Sequence, residues 1–254
     1  MLKTAVCITG QPRHFEETYS NIYNNIIKPN NADVFLHAWF DEKDSGSTIK
    51  NAGVTYYKNK NKNYIVKKDT YDKLKELYKP IDFIIEKQIY FKDIIETNIL
   101  SFLENNNINY NSTFSMFYSL LKCGELIRNY EQKSNFKYDY IIKIRFDVFL
   151  NAPIIVNKFD SKYFNNPYTT SLDDRIWFSN SNNMYNISKT YNYIKLILKD
   201  DIINNKITVK NTKYYYEYKN LKYLKNEIIL LDILVKFNIC MNKFKLDYNL
   251  YSRL

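Results

Sequence analysis

Glycine is almost missing from this chain, with 4 in 254 residues. The two glycine-built phosphate cradles are missing with it: the three-glycine dinucleotide fingerprint and the Gly-Lys-Ser end of a P-loop. That argues against a hydride-transfer dehydrogenase and a P-loop NTPase. Histidine occurs only at His14 and His37, too isolated for a metal cluster. Three cysteines, Cys7, Cys123 and Cys240, are far apart and odd in number, so neither a disulfide framework nor a metal spacing emerges. Free buried thiols in a reducing compartment fit that pattern. No apolar run reaches the roughly 18–20 residues of a membrane span. Polar Thr9-Gly10-Gln11 interrupts the first apolar run too early for a signal peptide. The expectation is a soluble, cytoplasmic chain with no transmembrane segment.

Charge of one sign is in excess. The net charge is +10 and the pI about 9.2, mostly from lysine spread through the chain among Asn and Tyr. A basic surface suits anionic partners such as sugar nucleotides, phosphorylated glycans, nucleic acid or anionic membrane. The codon bias of an AT-rich genome produces the same excess of Lys, Asn, Ile and Tyr. With 45% hydrophobic residues, the chain can build one large core or one core with a small lobe. Asn tolerates left-handed backbone better than most residues and is expected to close turns in place of glycine, as at Asn105–Asn107 and Lys58–Asn63.

The early chain reads strand, helix, strand: Lys3–Thr9, Glu16–Ile27 and Ala32–His37. So compact a unit argues for a parallel α/β sheet. Phe40–Lys50 reads as loop, Asp69–Tyr78 as a helix closed by Pro80, and Ile81–Ile85 as a strand. Asn111–Tyr130 places Met116, Leu120, Cys123, Ile127 and Tyr130 on one helical stripe, with Asn111 or Ser112 as cap. Tyr138–Arg145 and Arg175–Phe178 read as strands, Met184–Leu198 and Asn226–Phe237 as helices. Lys210–Lys225 reads as an exposed excursion, and Lys243–Tyr248 as a strand or extended tail.

The residues that can carry chemistry gather after strands, where an open α/β sheet binds its ligands. Gly10-Gln11-Pro12-Arg13 follows the first strand, so backbone amides and Arg13 can meet a diphosphate. The plain alternative is a strand-to-helix turn with a surface arginine. The run Tyr138–Asp147 delivers Arg145 and Asp147 at a strand end, pointing to the same side of the strand. Asp147 can hold a divalent ion against a diphosphate, and Arg145 can contact that diphosphate or orient Asp147. The alternative is a structural Arg–Asp pair. Asp173-Asp174 precede the Arg175–Phe178 strand and can supply one general base or acceptor contact, with the strand's aromatics as a sugar platform. Glu227 opens the last helix, as a partner of the helix dipole or as an acceptor contact.

Taken in order, several pieces resemble the GT-A-type glycosyltransferases of bacterial surface-polysaccharide clusters and large DNA viruses. They are Cys7–Arg13, Asp33–Trp39, Ser115–Leu120, Tyr138–Asp147, Asp173–Arg175, Glu227 and Arg253. The resemblance implies a single Rossmann-like α/β domain over 1–254 with a mixed, mainly parallel central sheet. Residues 1–150 would form the nucleotide-sugar-binding half and 151–254 the acceptor-binding half. Donor contacts would fall on Thr9, Gly10 and Arg13. Asp147 would be the last aspartate of an Asp-X-Asp metal motif, holding Mn²⁺ or Mg²⁺. Arg145 stands where that motif has its first aspartate, a departure that bears on metal dependence.

The leading expectation is a transferase moving a sugar from a nucleotide-diphosphate donor to a glycan or other hydroxyl acceptor. Asp174 and Arg145 are its catalytic candidates, with the donor diphosphate stabilised as it departs. Two alternatives remain: a protein that binds nucleic acid or another anionic polymer, and an inactive transferase-like fold. Diffuse charge without a nucleic-acid motif weighs against the first of these. A glycoside hydrolase would need paired carboxylates flanking a sugar, and Asp147 has no obvious partner.

Overall fold

The computed structural model describes residues 2–49, 64–167, 173–194, 196, 215–218, 221–224, 226–244 and 248–250. Its centre is a seven-stranded sheet. We label the strands β1 (Thr4–Gly10), β2 (Asp33–Trp39), β3 (Asp82–Glu86), β4 (Tyr140–Arg145), β5 (Phe164–Pro167), β6 (Ile176–Ser179) and β7 (Met241–Phe244). Their order across the sheet is β3-β2-β1-β4-β6-β5-β7. Strand β6 runs against its neighbours β4 and β5, and the other pairings are parallel. This is the expected α/β architecture with a mixed, mainly parallel sheet, and both halves of the chain contribute strands to it.

The central strands are near-continuous apolar runs because both of their faces are covered. Helices α1 (Phe15–Ile22) and α2 (Thr70–Tyr78) pack on one face, over Val6, Ile8, Leu36, Ile142 and Ile144. On the other face lie α3 (Thr97–Asn105), α4 (Asn111–Lys133), α5 (Ser181–Ser188) and α6 (Asn226–Lys236), over Ala5, Cys7, Phe35, Ile141 and Trp177. Each fully buried large apolar side chain contributes about 1.5–3 kcal/mol. Cys7 and Cys123 are buried and Cys240 exposed, and all three are free.

Asparagine takes the role expected of it. Asn31, Asn107, Asn135 and Asn238 all have positive φ, as do His14 and Lys79. Helix α1 is shorter than the sequence predicts. It passes into a π-helical turn at Tyr23–Ile27, then a 3₁₀ turn that ends at left-handed Asn31. The cap of α4 is Tyr110, ahead of the expected Asn111 or Ser112, and it makes no side-chain capping bond. The helix expected over Met184–Leu198 begins earlier, breaks at Lys189 and resumes at 190. The Lys58–Asn63 turn and Arg253 lie outside the described residues, as do parts of Lys210–Lys225 and Lys243–Tyr248. Among the described residues, no helix is long and apolar enough to cross a membrane.

Helices α4 and α5 meet at Gly124. A Cβ built there would stand 2.7 Å from both Cβ and Oγ of Ser188. Gly124→Ala gains about 1 kcal/mol of helix propensity, but overpacking costs about 1–3 kcal/mol. The net expectation is a loss of about 1 kcal/mol in urea unfolding. A more stable variant would show that α5 yields freely.

Candidate functional site

Strands β1 to β4 end on one edge of the sheet, and their register sets three polar residues abreast. Thr9 pairs with Arg145 on one side and His37 on the other. Period-two alternation points Thr9, His37 and Arg145 to the α4 face of the sheet. Gly10 follows at φ +112°, a conformation that carries little cost only for glycine. A tight turn then leads into α1, with the Arg13 amide donating to the Gln11 carbonyl at 2.8 Å and left-handed His14 preceding the helix. That turn carries the Arg13 guanidinium to the end of β4.

Strand β4 stops at Arg145, and Phe146-Asp147 form a turn before the short strand Val148–Leu150. Asp147 therefore folds back toward Arg145 instead of following it along a strand. Arg145 grips it with both prongs: Nε donates to Oδ1 at 2.9 Å and Nη2 to Oδ2 at 2.6 Å. Arg13 Nη2 reaches the same Oδ2 from the other loop, at 3.2 Å. The Asp147 side chain is 4% exposed, against 14% for Arg13 and 24% for Arg145. Burial alone would push the Asp147 carboxyl up, but Arg145 and then Arg13 outweigh it and hold the group below the usual carboxylate range.

Helix α1 fixes this turn through polar side chains. The Thr18 hydroxyl donates to the Phe146 carbonyl at 2.5 Å. Asn21 donates to the Leu150 carbonyl at 2.9 Å and accepts the Leu150 amide at 2.7 Å. Asn30 does the same further along, donating to Ile154 at 2.7 Å and accepting from Val156 at 3.0 Å. Each asparagine supplies a donor and an acceptor to backbone groups of this segment, which satisfies them with side-chain partners.

A second cluster flanks the first. Lys143 lies in the middle of β4 with no exposure, its Nζ 4.2 Å above the Trp177 ring and donating to the Asp174 carbonyl. Burial pushes its pKa down to about 8 despite the nearby Asp174. The Asp174 carboxylate accepts from Asn226, the first residue of α6, at 2.9 Å. Burial opposes its ionisation, but Arg145 and Lys143 draw its pKa below the ordinary value. Glu227 is driven the other way, upward, first by burial and then by Asp174. Asp173 is committed to structure: it grips Arg175 through two oxygens and exchanges backbone bonds with Asn166. Trp177 and Phe178 are fully buried, so the expected aromatic sugar platform does not exist on this strand. Farther along the edge, His37 Nε2 lies 3.0 Å from Glu86 Oε1, and burial lowers the histidine pKa more than Glu86 raises it.

The sequence expectation of a metal at Asp147 can be tested on this donor set. A hard divalent cation takes about six oxygen ligands. Both Asp147 oxygens already accept from guanidinium groups, and no group of three His, Cys, Asp or Glu side chains among the described residues could hold an ion. An ion on Asp147 would also face two fixed positive charges. Unit charges at 4 Å repel by about 4 kcal/mol near a protein surface, and a dication doubles that. The described residues do not fit a metal.

The structure thus brings together Arg13, Arg145 and Asp147, sets Thr9 and Gly10 beside them, and places Asp174 within their field. Sequence reasoning missed Thr18, Asn21, Lys143 and Asn226. Only Lys143 left a signal, as a charge inside an apolar strand that is buried on both faces. A family model described as a domain of unknown function (DUF7796) matches residues 86–195, less than half of the chain. That span holds Arg145, Asp147 and Asp174 but not Arg13. The comparison with curated proteins returns no match. Among the solved structures that are similar at a low level are two transferases. Mouse xyloside xylosyltransferase 1 in its apo form has a TM-score of 0.38 and 10% identity, over 80% of this chain and 73% of its own. A glycosyltransferase involved in the glycosylation of the major capsid of PBCV-1 has a TM-score of 0.26 and 8% identity, over 79% and 98% respectively.

Proposed function

We propose that this protein is a glycosyltransferase that moves a sugar from a nucleotide-diphosphate donor to a hydroxyl group on a glycan or other acceptor. The observation that carries the reading is the convergence of Arg13 and Arg145 at the carboxyl edge of the parallel sheet, beside the Gly10 turn. Anionic ligands bind in such crevices, and planar guanidinium groups suit phosphate oxygens. The donor lies against Thr9, Gly10 and Arg13 in the first half of the chain, and the acceptor meets residues of the second half. In the reaction the bond from the anomeric carbon to the phosphate oxygen breaks, and its electron pair leaves with the nucleoside diphosphate. The acceptor oxygen forms the new bond and gives up its proton.

Asp174 and Glu227 divide the acceptor side. A base works best when its pKa lies near the working pH. Asp174, held low, orients the acceptor; Glu227, held high, is the better matched proton acceptor. Asp174→Asn is expected to slow transfer about 100-fold while nucleotide affinity stays within a factor of about 3. Equal transfer rates for variant and wild type would remove Asp174 from the mechanism.

The test of the reading as a whole is a thermal-shift screen against UDP, GDP and their common sugar conjugates, with and without Mn²⁺. A ligand that binds the native state at about 100 times its Kd adds about 2.7 kcal/mol of stability. No shift with any of them would reject the donor site.

A further inference from the structure

We propose that the Arg13–Arg145 pair holds the donor diphosphate directly, with Asp147 as the anchor of the two arginines and no divalent ion between protein and phosphate. The inference rests on the transferase reading above and concerns the chemistry of its leaving group. Three observations carry it. Both Asp147 oxygens already accept from guanidinium groups, Oδ1 from Arg145 and Oδ2 from both arginines. One carboxylate between two guanidinium groups leaves a surplus positive charge, which the leaving diphosphate would neutralise. Arg13 Nε is buried and has no acceptor among the described residues. A buried N–H without a partner is uncommon in native folds, and a phosphate oxygen beside Arg13 would supply one.

The arrangement also explains why arginine stands at 145, where a metal motif would carry an acid. An acid there would repel Asp147, whereas the guanidinium fork matches its two oxygens. Charge developing on the departing phosphate oxygen is then met by donors already held in place, which cost no reorganisation during the reaction. Asp147 is a positioning residue in this scheme, acting on the phosphate only through the arginines.

The experiment is calorimetric titration of the full chain with UDP, GDP and their sugar conjugates, once in EDTA and once in Mn²⁺. The expected result is one binding nucleotide whose Kd differs by less than about 3-fold between the two conditions. Arg13→Met keeps the bidentate Arg145–Asp147 pair, so the variant folds, and its Kd in EDTA rises about 10-fold or more. Binding that appears only with Mn²⁺ overturns this inference and leaves the transferase reading standing. An unchanged Kd in Arg13→Met also overturns it. Absence of binding in both conditions overturns the inference and the donor site together.

Discussion

Asp147→Asn is expected to lower the stability of the fold by about 3 kcal/mol at neutral pH. The substitution is nearly isosteric, so packing around Phe146 and Val148 survives, but two guanidinium groups lose their counter-charge. Breaking a buried pair costs about 3–5 kcal/mol, and the partial solvent contact of both arginines favours the low end. Total stability of about 5–15 kcal/mol makes this a large fraction. The pH dependence carries a sign. The folded-state pKa of Asp147 lies below its ordinary value, because Arg145 and Arg13 overcome the burial that would raise it. Its stabilisation is therefore fully present above the unfolded carboxyl pKa of about 3.9 and is lost as pH falls through the folded value. Urea unfolding of wild type and variant at neutral and acid pH measures both effects. The gap between them should narrow toward acid. Equal midpoints at pH 7 would show that the carboxylate holds nothing in place.

Arg145→Met should reduce sugar transfer by about 10²–10³-fold, the cost of removing one preorganised donor from a site of developing charge. The single variant also strands Asp147 with Arg13 alone, so lost activity and lost stability are mixed. Pairing it with Asp147→Asn separates them. The double variant removes the carboxylate with one of its partners, so its stability loss is smaller than the sum of the two single losses, a coupling expected of groups in direct contact. Transfer should stay low in the double variant, because the cation has not returned. A double variant with wild-type transfer would make the Arg145–Asp147 pair purely structural.

The strands at the centre of the sheet are legible in the residue pattern itself. Thr4–Gly10, Asp33–Trp39 and Tyr140–Arg145 are buried on both faces, and burial of that kind demands an apolar run whatever the neighbours are. The outer strands are not legible in that way. Phe164–Pro167 is FNNP and Met241–Phe244 is MNKF, short and polar enough to pass for loop. They are strands because partners far along the chain pair with them, Met241 beside Phe164 and Phe178 beside Asn165. Asn165 and Asn166 donate from their side chains to the Asp160 and Asp173 carbonyls, bonds that composition does not announce.

The candidate site divides in the same way. The sequence by itself determined that Gly10, Arg13, Arg145, Asp147 and Asp174 would all lie at or next to strand ends, because apolar runs and turn residues are local signals. It also set the spacing of Arg145 and Asp147, which lets one side chain reach the other. Tertiary structure alone decided that Asp147 turns back, through the hold of Thr18 on Phe146 and of Asn21 on Leu150. It alone decided that Arg13 completes the cluster and that Asn226 meets Asp174. The physical reason is range: hydropathy and turn chemistry act between near neighbours in the chain, whereas a charge finds its counter-charge through sheet register and loop path, which only the whole fold sets.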